Sequence, residues 1–122
     1  MEQEYIKGDI VMYDNKIHTI MDTLGVNNYE LSYIEHPVHQ LELSGVLLTP
    51  EILEKNKWRK TKESFKTQSY YKKNFGVNVM TIITINGYCS VVYNITHIRY
   101  IQYVHELQHL LFGLRLNSEM EV

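Results

Sequence analysis

Two histidines one helical turn apart, His105 and His109, are the residues whose spacing most directly suggests catalysis in this 122-residue chain. With Glu106 they form the pattern His-Glu-x-x-His. In this pattern the histidines present ring nitrogens to Zn²⁺, and the glutamate acts as general base on a metal-bound water. The motif therefore predicts a zinc-dependent hydrolase in which His105 and His109 bind the metal and Glu106 is the catalytic residue.

Three observations weigh against the zinc hypothesis. In a chain with six histidines and eleven glutamates, the pattern arises by chance about once in forty such sequences. A catalytic zinc site needs a third protein ligand, and Arg115 stands where a further histidine would extend the motif. Both histidines also lie opposite the centre of the predicted apolar stripe of their helix, and so face solvent or a second packing surface. We therefore favour a protein without catalytic residues, metal or other cofactor, and keep zinc as the alternative.

A second group of residues with chemical potential is the basic stretch from residue 55 to residue 73. The formal charge is −8 over residues 1–54, +7 over residues 55–73 and −1 over residues 74–122, so the total of −2 hides a strong segregation. Cations interleaved with flat aromatic rings can hold phosphates and stack bases. The candidate anion-binding residues are Lys57, Trp58, Arg59, Lys60, Lys62, Lys66, Tyr70, Lys72 and Lys73.

Other interpretations of the basic stretch stay open. It can be a solvated lysine-rich loop whose aromatic residues belong to the core, or it can lie against the acidic N-terminal part and neutralise it. It can also contact a partner protein. Arg59 is the one arginine among its eight cations, which weakens the case for bidentate recognition of phosphates or bases.

The elements that position these residues are predicted as an α+β fold. Short strands at 9–13, 16–21, 29–35 and 40–43 alternate with turn residues, which predicts an SH3-like curled antiparallel sheet in the first 48 residues. Thr49 is a good N-cap and Pro50 fits the first helical position, so a short helix is predicted over 50–57.

The C-terminal half is predicted as a hairpin followed by a helix. Asn86-Gly87 joins two β-branched runs into a β-hairpin over 77–93. Apolar residues at helical spacing predict a long amphipathic helix over 98–114 that lies across the sheet. The side of this helix that carries Ile98, Ile101 and Phe112 is more apolar than a solvated face, which predicts a homo-oligomer.

Composition bounds the class of protein. An apolar fraction of 44% in 122 residues predicts a single domain over 1–122, with a β-sheet part at 1–48 and the remaining elements at 49–122. Cys89 is the one cysteine, so no internal disulfide can form, and we interpret it as a core residue. The acidic N-terminus lacks an apolar run and no apolar stretch is long enough for a membrane span. We therefore expect a cytoplasmic protein without a membrane partner.

Three segments resemble blocks of a known family. They are Ile6-Lys7-Gly8-Asp9-Ile10-Val11, the stretch from Leu47 to Lys55 with its Leu-Thr-Pro-Glu-Ile-Leu core, and the stretch from Tyr103 to Phe112. Blocks similar to these occur in the same order in small uncharacterised proteins of phages, prophages and other mobile elements of Bacteroides and relatives. The resemblance does not cover the middle between Lys55 and Tyr88.

In that family the C-terminal block usually has asparagine at the position of His109 and often glutamine at the position of Glu106. The resemblance thus implies that the zinc-like motif is a coincidence within a structural helix. It implies a setting in phage biology and no particular activity. We expect a non-enzymatic accessory protein of the bacterial cytoplasm that binds either a host or defence protein or an anionic ligand, nucleic acid or a nucleotide, through residues 55–73.

Overall fold

The computed structural model describes residues 4–61 and 68–122. Within these ranges the fold is rich in sheet, with two five-stranded antiparallel sheets and two α-helices. The chain divides into two compact units. The first comprises the residues up to Leu47 together with Tyr103–Gly113 and Asn117–Glu119, and the second comprises Leu48–Gln102, Leu114–Leu116 and Met120–Val122.

The first unit is built on a curled antiparallel sheet, as its turn pattern predicts. Its strands are β1 (Ile10–Tyr13), β2 (Lys16–Thr23), β3 (Asn28–Leu31), β4 (Val38–His39) and β5 (Leu43–Gly45), in the order β4-β3-β2-β1-β5. Asp14 and Asn15 both adopt positive φ, which lets the tight β1–β2 turn follow the twist of its strands. Tyr5, Val11 and Tyr29 belong to the buried apolar cluster of this unit.

Helix α2 (Val104–Gly113) belongs to the first unit. Its apolar side chains Val104 and Leu107 are fully buried. The buried Gln108 adds polar contacts, because its Oε1 accepts from Ile10 N–H at 2.9 Å and its Nε2 donates to the carbonyl of Gly8 at 2.9 Å. Apolar packing and backbone hydrogen bonds thus both join α2 to the start of β1.

The second unit contains helix α1 (Pro50–Lys55) and the second sheet. Its strands are β6 (Arg59–Lys60), β7 (Gln68–Phe75), β8 (Asn78–Ile85), β9 (Tyr88–Tyr93) and β10 (Thr96–Ile101), in the order β10-β9-β8-β7-β6. Thr49 caps α1 as predicted, since its side chain accepts from Ile52 N–H at 3.3 Å. The hairpin at Asn86-Gly87 is confirmed, with Ile85 paired to Tyr88.

Two predicted strands of the first unit are wrong in part. The strand predicted at 29–35 ends at Leu31, and Tyr33 is exposed with φ 64°. The segment predicted as a strand at 40–43 forms a short 3-10 helix at Gln40–Glu42. A capping box explains this turn, because Glu42 Oε2 accepts from His39 N–H and the His39 ring accepts from Leu41 N–H.

The predicted helix over 98–114 is also wrong in its first third. Strand β10 occupies Thr96–Ile101, where Tyr100 pairs with Ser90 and Ile101 with Cys89, and α2 begins at Val104. Ile98 and Ile101 therefore do not share a helical face with Phe112, which removes the observation behind the predicted homo-oligomer. Helix α1 ends at Lys55 rather than at 57, since Asn56 caps it and Lys57 has φ 69°.

Candidate functional site

The His-Glu-x-x-His motif lies on α2, and its first histidine is buried. His105 is 5% exposed, stacks on Tyr103 with ring centroids 5.7 Å apart, and meets the edge of Tyr5 at 4.9 Å. Burial lowers the pKa of His105, with the Asp9 carboxylate acting in the opposite direction. Its Nδ1 has no hydrogen-bond partner within the described structure. The sequence predicts that His105 faces either solvent or a second packing surface, and the structure places it against a packing surface.

The second histidine of the motif pairs with a carboxylate from the N-terminal segment. His109 Nε2 lies 2.6 Å from Asp9 Oδ2, and the Asp9 side chain is 2% exposed. The same Oδ2 accepts from Ile6 N–H at 2.9 Å. The His105 and His109 rings are 5.7 Å apart and meet edge to face. His109 thus contacts the loop before β1, and its Nε2 faces an acid rather than its motif partner.

Glu106, the expected general base, has a structural contact. Its Oε1 accepts from Tyr103 N–H at 3.0 Å, which caps the first turn of α2. Across residues 4–61 and 68–122, no three histidine, cysteine, aspartate or glutamate side chains are grouped so that they could hold a metal ion. Each of the three motif residues therefore has contacts that fit a structural role in a packed helix.

The register of the second sheet distributes the basic stretch over two faces. Arg59 pairs with Lys72 and Lys60 pairs with Tyr71, and residues paired directly across antiparallel strands project to the same side. Successive residues of a strand alternate sides. We call the side that carries Tyr71 the inner face and the side that carries Arg59, Tyr70 and Lys72 the outer face.

Three of the predicted anion-binding residues belong to the inner face, and two of them have packing or hydrogen-bond partners there. Trp58 is 3% exposed and packs on Phe75 with ring centroids 6.3 Å apart. Lys73 Nζ donates to the carbonyl of Asn56 at 3.0 Å and lies 5.5 Å from the Phe75 ring, and burial lowers its pKa. Lys60 is exposed at the edge, opposite the buried Tyr71. Trp58 and Lys73 are therefore part of the packing of this unit.

The outer face combines two of the predicted cations with tyrosines. Arg59 lies opposite Lys72, and Tyr70 is two residues from Lys72 on the same face. Across the sheet, Tyr88 and Tyr100 are 40% and 58% exposed and meet edge to face at 5.4 Å. His97 also lies on this face, with its ring 4.7 Å from that of Tyr100. The half-buried aliphatic side chains of the face are Val79, Ile83, Ile85 and Val92.

Tyr88, Tyr100 and His97 are functional candidates that the sequence analysis does not identify. The alternation in Tyr88-Cys89-Ser90-Val91-Val92 indicates that Tyr88 projects from one face of β9, but the helical spacing around Tyr100 gives no sign that Tyr100 lies in the next strand. Among the other predicted residues, Lys57 is exposed at the end of α1, whereas Lys62 and Lys66 lie outside the described residues. Cys89 is buried as predicted, and burial raises the pKa of its thiol to about 11.

The charge segregation follows the two compact units. By sequence, the first unit carries ten acidic and two basic residues, for −8, and the second carries ten basic and four acidic residues, for +6. In the described structure the side chains of Arg59 and Lys60 form no hydrogen bond or ion pair. Exposed cations on a basic unit produce a local positive potential that attracts anions.

None of the helices formed by residues 4–61 and 68–122 is long and apolar enough to cross a bilayer. No protein-family model, curated protein or solved structure matches the chain. Function is therefore inferred from the geometry and charge of the chain's own residues.

Proposed function

We propose that this protein is a non-enzymatic binding protein whose second unit holds single-stranded nucleic acid on its outer face. The observation that carries the proposal is the β6–β7 register, which puts Arg59 opposite Lys72 and both beside Tyr70. Single-stranded nucleic acid is held by cations that contact the backbone and by aromatic rings on which bases stack. The resemblance to mobile-element proteins would make the target a phage or host strand in the bacterial cytoplasm.

The dimensions of the outer face suit a short strand. Neighbouring β-strands are about 4.8 Å apart, so the sheet extends about 19 Å from β6 to β10, which is the length of several nucleotides stacked at about 3.4 Å. In the proposed complex, Arg59 and Lys72 contact phosphates, Tyr70 stacks on a nearby base, and Tyr88 and Tyr100 receive bases further along. Base stacking does not depend on sequence, so we expect weak sequence preference.

A duplex is a poorer ligand for this face. An α-helix or a two-stranded ribbon is what enters the major groove of DNA, and the outer face presents a broad sheet with tyrosines. Tyrosine rings can reach bases only where the bases are unstacked from a partner strand. We therefore expect single strands to bind more tightly than duplexes of equal length.

Fluorescence anisotropy with labelled oligothymidylate tests the proposal. Two or three phosphate contacts predict that the logarithm of the association constant falls against the logarithm of salt concentration with a slope of about −1.4 to −2.1, at about −0.7 per contact. The variant Arg59→Glu with Lys72→Glu should weaken binding by at least about tenfold and flatten the slope. Lys7→Glu is the control: it reverses one exposed charge in the first unit, half the charge change of the double variant, and should change neither the affinity nor the slope.

Tyrosine substitutions separate stacking from charge. Tyr88→Ala with Tyr100→Ala should weaken binding by about 1–3 kcal/mol per stacked base and leave the salt slope unchanged, because no cation is lost. The proposal is wrong if oligothymidylate does not bind, or if Lys7→Glu weakens binding as much as the outer-face variants. Salt-insensitive capture of a host protein would instead support the protein-partner alternative.

A further inference from the structure

A groove of about 670 Å³ lies on the first unit, where β2 and β3 meet the turn after β3. Met21, Glu30 and Tyr33 line it, together with Ile34 and Glu35. A smaller groove of about 340 Å³ is lined by Ile17 and Asp14, among others, and shares Tyr33 and Ile34 with the larger one. The two grooves therefore meet at the turn that carries Tyr33.

Apolar side chains in these grooves are unusually open to water. Tyr33 is 98% exposed, Met21 is 47% exposed and Ile17 is 46% exposed. Clustered exposed apolar side chains with a polar rim are typical of surfaces that bind other proteins. Tyrosine and methionine are also enriched in protein interfaces.

The backbone at Tyr33 adds an independent indication. Tyr33 has φ 64°, a left-handed conformation that bulky residues rarely adopt and that asparagine tolerates better. Strained residues that persist in a fold are concentrated at binding and functional sites. At this position the chain exposes an aromatic ring where a polar residue would fit the backbone more easily.

The grooves carry negative charge that the first unit does not balance locally. Glu30 and Glu35 line the larger groove, and Asp22 is paired directly opposite Glu30 across β2 and β3. Like charges directly opposite each other destabilise a sheet. Lys16 is the one cationic side chain among the residues that line the two grooves. A ligand that supplies positive charge would relieve this repulsion.

We infer that the groove around Tyr33 binds a protein segment in which lysine or arginine alternates with apolar side chains. The apolar side chains pack on Met21, Tyr33 and Ile34, and the cations lie near Glu30, Glu35 and Asp22. Nucleic acid is disfavoured here because a unit of charge −8 repels phosphates. The inference concerns a different unit from the nucleic-acid surface and does not rest on that proposal.

The test uses the full chain and a short fluorescein-labelled peptide in which lysine and leucine alternate. We expect measurable binding by fluorescence anisotropy, and at least about tenfold weaker binding of matched peptides that alternate glutamate with leucine or lysine with serine. Glu30→Lys with Glu35→Lys should weaken the lysine-leucine peptide by about tenfold. Glu4→Lys with Glu119→Lys is the matched control, because it changes two exposed acids of the same unit outside the groove.

Tyr33→Asn tests the apolar part of the site without endangering the fold. Asparagine accepts the positive φ, so thermal denaturation should show an unchanged or higher melting temperature, while the peptide binds several-fold more weakly. The inference is overturned if the control variant loses as much affinity as Glu30→Lys with Glu35→Lys, since binding would then follow net charge alone. Unchanged affinity in Tyr33→Asn would equally overturn it.

Discussion

His105 lies where burial disfavours its charged form, and this makes the first unit sensitive to acid. The groups that act on it are Asp9, Glu106, Glu4 and His109, yet the lowering of its pKa by burial dominates. The unfolded chain binds a proton at His105 near pH 6.5, whereas the folded protein binds it only at lower pH. Between these two values the unfolded state holds more protons, so the free energy of unfolding decreases as the pH falls.

Urea denaturation at a series of pH values below 7 measures this effect. The variant His105→Phe keeps an aromatic ring in the pocket formed with Tyr5 and Tyr103. We expect its free energy of unfolding to decrease less than that of the unchanged protein as the pH falls below 6.5. His36→Gln, which replaces an exposed histidine, is the matched control. Equal pH dependence in His105→Phe and the unchanged protein would contradict the assignment.

The contacts of the motif residues also predict the response to zinc. Asp9 faces Nε2 of His109, so a metal bound through that nitrogen would have to displace the carboxylate, and Glu106 would have to leave Tyr103 N–H to act on a metal-bound water. We expect purified protein to hold less than about 0.1 equivalent of zinc, and added zinc to leave the melting temperature unchanged. One equivalent of zinc that is lost in His105→Ala would restore the hydrolase hypothesis.

Among the elements, α2 uses one buried polar side chain to bind the backbone at the start of β1. Gln108 is 4% exposed and satisfies Ile10 N–H and the carbonyl of Gly8, and its Nε2 also donates to the carbonyl of Ser118 at 3.1 Å. Gln108→Leu keeps a similar volume but leaves these backbone groups unsatisfied. We expect a loss of about 2–4 kcal/mol in the free energy of unfolding, measured by urea denaturation.

Gln102→Leu is the matched control for this prediction. Gln102 is exposed, and its side chain reaches the carbonyl of Gly87 at 3.5 Å, so its loss should change stability by less than about 0.5 kcal/mol. A comparable loss in both variants would mean that the buried hydrogen bonds of Gln108 do not decide the stability of α2.

Elements with strong local signals could be predicted from the sequence. Asn86-Gly87 indicates a two-residue hairpin turn, and Thr49-Pro50 indicates a helix start; both depend only on neighbouring residues. Strand β10 could not be predicted in the same way, because Tyr100 and Tyr103 continue the helical spacing of Leu107 and Leu111. Residues 96–101 form a strand because they pair with β9, and this pairing is a tertiary contact that local sequence patterns do not show. Asn94 is the residue in the sequence that indicates the β9–β10 turn, because asparagine tolerates the positive φ of 56° that it adopts there.

The candidate site shows the same limit. Clustering of Lys57 to Lys73 along the chain is visible in the sequence, but the face on which each residue lies depends on the β6–β7 register. Composition alone therefore grouped Trp58 and Lys73 with Arg59 and Lys72, although the sheet separates them. Likewise, Asp9 could not be associated with His109 from sequence, because the two are 100 positions apart.

At the scale of the whole molecule, charge and compact units coincide. The near-neutral total of −2 is the sum of an acidic unit at −8 and a basic unit at +6. Each unit attracts ligands of the opposite sign, so raised salt should weaken the binding of oligothymidylate and of the lysine-leucine peptide alike. The two proposed surfaces are thus distinguished by the sign of their ligands.

The position of α2 in the chain has a consequence for synthesis on the ribosome. The first unit uses residues up to Leu47 and then needs Tyr103–Gly113, whereas the continuous segment Leu48–Gln102 supplies most of the second unit. During translation the second sheet is complete before the helix that closes the first unit has been made. The N–H of Ile10 and the carbonyl of Gly8 therefore gain their partner Gln108 only after the residues of the second sheet have been made.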